Sequence, residues 1–276
     1  MPSGESDLPS KRIENQSQEA SKRASASGRD FYEEIYQREL DAEAEWLRYG
    51  AVEKVNSVEI LLHRRGIKPA SLLELGCGTG AVVVECQRRG LAREFTAIDY
   101  SKKAIEFLKS NSTGIHCMAA DITEPDFKLD EFYDVLVLSH VLEHLEEPLN
   151  FLRTLMSKVR FRCMVAEVPL EDLVASRMKS HFRDRTRNTA GHVQFFTEST
   201  FRQLLISSRL DLQDYRRYVP VTSLEAIDLV RRRLELSTMA TTIKKATGHY
   251  LPRMLEPFWN RFYYAHLAVL CVPHSN

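Results

Sequence analysis

The chain has 276 residues, 43% of them hydrophobic and 28% charged, which excludes a wholly disordered, collagenous or fibrous protein and leaves apolar material for one α/β domain with appendages. Lys and Arg balance Asp and Glu at 38 each, so no global field draws the chain to nucleic acid or an anionic membrane, and any such contact must come from a local patch. The five cysteines, Cys77, Cys86, Cys117, Cys163 and Cys271, form no CxxC pair and sit mostly in apolar runs, the usage of core residues in a reducing compartment.

In chain order, residues 1–28 hold seven serines and almost no large apolar side chains, so they read as a disordered tail. Its start lacks the apolar stretch of a secretory signal, and the expected location is cytoplasmic. Residues 29–66 read as an N-terminal helical cap. Tyr32, Tyr36 and Leu40 recur at helical spacing, and Val55, Val58, Leu61 and Leu62 mark a second amphipathic helix before Gly66. Residues 67–276 form the main domain. Five short apolar runs (71–76, 94–100, 114–120, 133–139 and 161–169) alternate with helices beginning near Ala81, Ser101 and Pro148. Strands buried on both faces read as continuous apolar runs, and strand–helix alternation implies a doubly wound, mostly parallel sheet. A helix after Thr197 and strands near 211–219 and 264–272 bring the sheet to seven strands. The last run contains His266 and is far short of the roughly 20 residues of a membrane helix, so no membrane span is expected. Before it lies a helical insertion, 221–262. Its apolar positions Leu224, Ile227, Val230 and Leu234, followed by Phe258, Trp259, Phe262 and Tyr263, read as core with a share in a lid.

Glu74-Leu75-Gly76-Cys77-Gly78-Thr79-Gly80 closes the first strand and opens the next helix. Glycines there let the backbone turn sharply and approach a ligand closely. The second strand ends in Asp99, where a carboxylate can accept both hydroxyls of a ribose. Strand, loop, helix and acidic strand end in this order read as a nucleoside-binding crevice. The loop is ExGxGxG and not the GxGxxG of dinucleotide sites, and Glu74 would repel a phosphate and suit a cation.

On these residues the chain resembles the class I S-adenosylmethionine-dependent methyltransferases of small molecules and is similar to the ubiquinone-biosynthesis O-methyltransferases. The resemblance implies a Rossmann-like domain and S-adenosylmethionine as cofactor. Glu74, Gly76 and Gly78 would line its methionine part, with Cys77 and Gly80 in the same loop. Asp99 would hold the ribose, flanked by Tyr100 and Ser101. Asp121 would receive the adenine amino group between Ala120 and Ile122, and Ser139 and His140 would face the sulfonium. A turn or cap role for Asp121 is the plain alternative.

After the fourth strand, His140-Val141-Leu142-Glu143-His144 puts two imidazoles and a carboxylate on one face of a helical turn. Glu143, His144 and the later His192 are the candidate catalytic residues, an imidazole serving as general base. Relatives with ExxEH and a further His use the set as a divalent-metal site, and here His140 replaces the first Glu. A metal on His140, Glu143, His144 and His192 would meet more nitrogen than magnesium prefers and would suit zinc, iron or manganese. A basic segment within 168–193 carries Arg177, Arg183 and Arg187 as candidate substrate contacts, which points to a small anionic acceptor. Two other readings stay open: a metal-assisted RNA 2′-O-methyltransferase and a non-catalytic cofactor-binding partner. Zero net charge speaks against DNA, and the oligomeric state is not legible.

Overall fold

The computed structural model describes residues 28–171, 191–262 and 264–274. Helices α1 (Gly28–Arg38) and α2 (Leu40–Arg64) precede the sheet. The alternation then runs β1 (Ser71–Leu75), α3 (Ala81–Arg88), β2 (Glu94–Asp99), α4 (Lys102–Asn111), β3 (Ile115–Ala119), β4 (Phe132–Ser139), α5 (Pro148–Lys158) and β5 (Arg160–Leu170). After it come α6 (Glu198–Ser207), β6 (Leu210–Tyr218), α7 (Leu224–Arg233), α8 (Thr238–Lys245), a π-helical turn (Ala246–Tyr250), α9 (Leu251–Met254), α10 (Glu256–Phe262) and β7 (Ala265–Pro273).

The seven strands form one sheet in the order β3-β2-β1-β4-β5-β7-β6. The first five are parallel, and β7 runs antiparallel to both β5 and β6. Side chains alternate across a strand, so each central strand feeds two cores. Leu72, Val135, Val137, Cys163 and Val165 pack on α2, α3 and α4, whereas Leu73, Leu136, Leu138, Met164 and Ala166 pack on α5 and α6. Helices on both faces are the physical reason these strands read as unbroken apolar runs. The five cysteines are all buried and free.

The insertion departs from the sequence expectation. Its buried residues on α7 are Ala226, Ile227 and Leu229, whereas Leu234 is 60% exposed, and Phe258 and Phe262 also face outward. The short helices after α7 bury few residues, so among the described residues the later half of the stripe has little above it. No helix among the described residues is long and apolar enough to cross a membrane.

Because β1, β2, β4 and β5 are parallel, their carboxyl ends open on one edge, and the order reverses between β2 and β4 around β1. A crevice forms at such a switch point. The antiparallel β7 brings its first residues to that same edge, with His266 registered opposite Pro169 of β5 and Tyr218 of β6.

Candidate active site

Gly76 (φ 70°) and Gly78 (φ 53°) turn the chain from β1 toward α3 in the left-handed region. A β-carbon on Gly76 would lie 2.6 Å from a Val141 methyl, and one on Gly78 would lie 2.6 Å from the Tyr36 hydroxyl. The loop is tied to the end of β2 through Asp99: the Gly78 N–H donates to Oδ2 at 2.8 Å and the Ser101 N–H to Oδ1 at 2.9 Å. Burial raises the Asp99 pKa, and these two donors oppose the rise. Each carboxylate oxygen keeps a second lone pair for a ligand hydroxyl. Glu74, at the end of β1, is buried and accepts the Val83 N–H at 2.8 Å. Burial pushes its pKa up to about 8, because the Val83 donor and the Lys54 charge only partly offset desolvation. Such a carboxyl is suited to a ligand cation, which would restore its charged form.

These groups face a cavity of about 1880 Å³. Small-ligand sites typically measure roughly 300–1,000 Å³, so there is room for a second molecule beside a nucleoside. Glu74, Gly76, Cys77, Gly78, Asp99, Tyr100, Asp121, Ile122, Ser139 and His140 all line it. Gly80, Ser101 and Ala120 are not on its wall. Gly80 is the N-cap of α3, the Ser101 hydroxyl accepts the Ala104 N–H to cap α4, and Ala120 packs on the core. Asp121 also makes the turn that is its plain alternative, accepting from the Thr123 N–H (2.9 Å) and hydroxyl (2.6 Å). The Ser139 hydroxyl is buried without a hydrogen-bond partner among the described residues.

The imidazoles divide into two groups, not the single four-residue set expected from sequence. Glu143, His144 and His192 place one ligand atom each within 4.8 Å of one another, and His140 instead gathers with Glu167 and His266 on the same criterion. The split follows from the backbone. His140 sits at φ 58°, a left-handed conformation that residues with a β-carbon rarely adopt, and its N–H donates to the Glu167 carbonyl at 2.9 Å. Its ring is thereby set between β5 and β7, with Nε2 at 3.3 Å from His266 Nδ1 and 3.5 Å from Glu167 Oε1. Its Nδ1 lies 3.0 Å from Glu143 Oε1, near enough for an ion pair but out of line for a hydrogen bond.

The Glu143 group is assembled by its own backbone. The Val193 and Gln194 N–H groups both donate to the Glu143 carbonyl, at 2.8 and 2.9 Å, which presses the 191–194 segment onto the turn after β4. His144 Nδ1–H donates to the Gly191 carbonyl at 3.1 Å, leaving Nε2 with its lone pair buried and unpartnered. His192 Nδ1 meets the Glu171 carboxylate, at 2.6 Å from Oε2. Glu143 is fully buried, and its Oε2 has no hydrogen-bond partner among the described residues. Desolvation works to raise its pKa, but His140, then His144 and His192, outweigh that and hold it at about 2. Burial lowers the His144 pKa against the pull of Glu143, which favours the neutral ring. For His192, burial is outweighed by the Glu171 hydrogen bond and the Glu143 charge, and the pKa rises.

The His140–Glu167–His266 group is, by contrast, closed on itself. The Tyr218 hydroxyl donates to Glu167 Oε1 at 2.7 Å, and the Tyr264 hydroxyl lies 3.1 Å from His266 Nε2. Sequence reasoning missed Glu167, Tyr218, Tyr264 and Lys54. His266 was visible as the one histidine inside the last apolar run, but only the antiparallel return of β7 carries it to the site. Lys54 of α2 lines the cavity near Glu167, Glu143 and Glu74, and its burial lowers its pKa despite them. Tyr32 and Tyr36 of α1 also line the cavity, and the Tyr32 ring stands edge-on to His144 at 5.1 Å. Arg177, Arg183 and Arg187 lie outside the described residues.

A family model described as a methyltransferase domain matches residues 36–213. Curated relatives include the ubiquinone biosynthesis O-methyltransferase of Rickettsia typhi, 27% identical over 123 residues, covering 41% of this chain and 48% of the relative. The mitochondrial ubiquinone biosynthesis O-methyltransferase of Schizosaccharomyces pombe is 31% identical over 107 residues, covering 37% of this chain and 38% of its own. The chain thus spans about half or less of the curated relatives it matches. Among solved structures, the plantazolicin methyltransferase BpumL, in complex with a monoazolic desmethylPZN analog and SAH, aligns with TM-score 0.55 at 18% identity, covering 96% of this chain and 100% of that one. Coclaurine N-methyltransferase, bound to N-methylheliamine and SAH, aligns with TM-score 0.52 at 17% identity over 80% of this chain and 72% of that one. At these identities the likeness concerns the fold.

Proposed function

This chain belongs to the methyltransferase domain family, and from that membership we propose that it moves a methyl group from S-adenosylmethionine to an oxygen or nitrogen atom of a small acceptor. The observation that carries the reading is one cavity walled by two chemically distinct groups: Glu74, Asp99 and the glycine loop, and His144 with His192. When bound, S-adenosylmethionine supplies an electrophilic methyl on a sulfonium. The chain's own part is to hold that cofactor by its ammonium at Glu74 and its ribose at Asp99, and to aim the acceptor along the line of transfer. Alignment of this kind can supply much of the rate. His144, kept neutral by burial, accepts the acceptor's proton.

Three side chains, Glu143, His144 and His192, would alternatively fit a divalent cation, and His144 Nε2 would then be a ligand in place of serving as the base. The unpartnered Glu143 Oε2 and His144 Nε2 support this, since buried polar atoms without partners are costly and point to an absent group. The Gly191 carbonyl on His144 Nδ1 and the Glu171 carboxylate on His192 Nδ1 orient both rings as ligating imidazoles are commonly oriented. A cation there would lower the pKa of an acceptor hydroxyl. His140 is left out of the ligand set because the ligand atoms that converge are those of Glu143, His144 and His192, whereas His140 gathers with Glu167 and His266. An anionic acceptor is supported by Lys54, whose ammonium lines the same cavity.

Titration calorimetry with S-adenosylmethionine, with metal measured on the same sample by plasma mass spectrometry, tests the reading. Expected are micromolar binding that Asp99→Ala abolishes and a bound metal that Glu143→Ala removes. No binding by the intact chain at millimolar cofactor would refute the enzymatic reading. A metal-free sample that still transfers methyl to a panel of phenols and amines would refute the cation alone.

A further inference from the structure

The zero net charge conceals a local asymmetry. Residues 231–262 carry seven Lys or Arg against two Glu. The same stretch turns large apolar side chains outward in pairs four residues apart: Met239 and Ile243, Tyr250 and Met254, Phe258 and Phe262. Met239 and Met254 are about three-quarters exposed, at 74% and 75%, and Phe258 is 57% exposed. The helices hardly bury anything: α8 buries only Thr241, α9 only Pro252, and α10 none of its seven residues. Positions i and i+4 share a helix face, so each pair is a small apolar platform. Lys244, Arg253 and Arg261 make no ion pair with a carboxylate among the described residues, and the Arg261 guanidinium lies 5.8 Å from the Phe262 ring centre.

We propose that this insertion is a docking surface for an anionic lipid bilayer, with the apolar pairs entering the headgroup boundary and Lys244, Arg253 and Arg261 resting on lipid phosphates. Apolar side chains flanked by Lys and Arg are the composition of helices that lie in a membrane interface. None of these helices can span, so the contact is peripheral. A second copy of this chain is the poorer occupant, because a two-fold contact would set this cationic stretch against itself. The inference does not rest on the catalytic reading. The insertion also walls the cavity through Ala226, Pro252 and Trp259, so docking sets the cavity beside the headgroups.

Flotation of the full chain with vesicles of phosphatidylcholine alone, or with about a third phosphatidylglycerol, tests it. Binding is expected to the anionic vesicles only and to fall as salt rises from about 0.05 to 0.5 M, which shortens the screening length. Lys244→Glu and Arg261→Glu should each weaken binding at least roughly fivefold, the factor for one basic residue at an anionic surface. Met254→Glu and Phe258→Glu should weaken it at least roughly tenfold, from loss of apolar burial. All four positions are exposed, so each variant is expected to keep the wild-type thermal midpoint and S-adenosylmethionine affinity, which separates lost docking from lost folding. The proposal is overturned if the wild type stays off anionic vesicles at low salt, if the variants float like the wild type, or if Phe258→Glu instead converts a dimer to a monomer by sedimentation without any lipid binding.

Discussion

Glu74 gives the sharpest test of how the cavity holds a cationic ligand. In the free protein burial holds its pKa at about 8, so at neutral pH most molecules carry a proton there. An ammonium bound against it would favour the carboxylate, so binding expels that proton. With a ligand-free pKa near 8 and linkage at about 1.4 kcal/mol per pH unit, S-adenosylmethionine should bind roughly 25-fold more tightly at pH 7.5 than at pH 6. The window stops at about pH 7.5 because an α-amino group itself titrates near 7.7–8.0. Calorimetry in two buffers of different ionisation enthalpy reads the proton directly, and close to one should be released at pH 6.5. Glu74→Gln should bind more weakly and lose both the proton release and the pH slope. A Kd flat between pH 6 and 7.5, or a slope that persists in Glu74→Gln, would refute the assignment of the ammonium to Glu74. The sign for stability is the opposite. The ligand-free folded chain keeps a proton that an unfolded glutamate loses near pH 4.5, so the Glu74 contribution declines as pH rises from about 4.5 to about 8. Thermal midpoints of ligand-free wild type and Glu74→Gln should therefore diverge toward pH 8, with the variant the more stable.

Asp99→Ala strands two buried N–H groups, those of Gly78 and Ser101. At about 1–3 kcal/mol for each unsatisfied group, urea unfolding should show a loss of about 2–6 kcal/mol together with the loss of cofactor binding. Gly76→Ala sets a methyl 2.6 Å from Val141 at φ 70°. Strain of this kind costs about 1–3 kcal/mol, and both the melting temperature and cofactor affinity should fall. Tyr218→Phe deletes a 2.7 Å hydrogen bond to the buried Glu167 carboxylate. Hydrogen bonds to charged groups contribute about 1.5–3 kcal/mol, so chemical denaturation should reveal that loss while metal content stays unchanged. Equal metal loss in Tyr218→Phe and Glu143→Ala would show that the two histidine groups act as one site.

The part of the cavity wall proposed to hold the cofactor was legible because it is local in sequence. Glu74 through Gly80 is one loop, and Asp99 is the last residue of the next strand, so strand periodicity and residue type together placed them. Asp121 shows the limit of that method: its turn and its place on the cavity wall are both real, and sequence alone poses them as alternatives. Helical spacing put His140 beside Glu143, and its Nδ1 does lie 3.0 Å from Glu143 Oε1, but spacing alone does not show where the other edge of the ring goes. Its left-handed backbone turns the ring toward Glu167 and His266, residues 27 and 126 positions away.

The apolar alternation by itself determined the doubly wound sheet and its seven strands to within a residue or two, and with them the carboxyl edge at which a crevice opens. Those features depend on burial over a few residues and on parallel strand geometry. The tertiary structure alone decided which imidazoles share a site, that Tyr36 and Lys54 of the helical cap face the cavity, and that half of the insertion's apolar stripe points outward. Each depends on what lies across a gap from the residue. A hydrophobic period says that a side chain wants cover; only the packed chain says whether anything covers it.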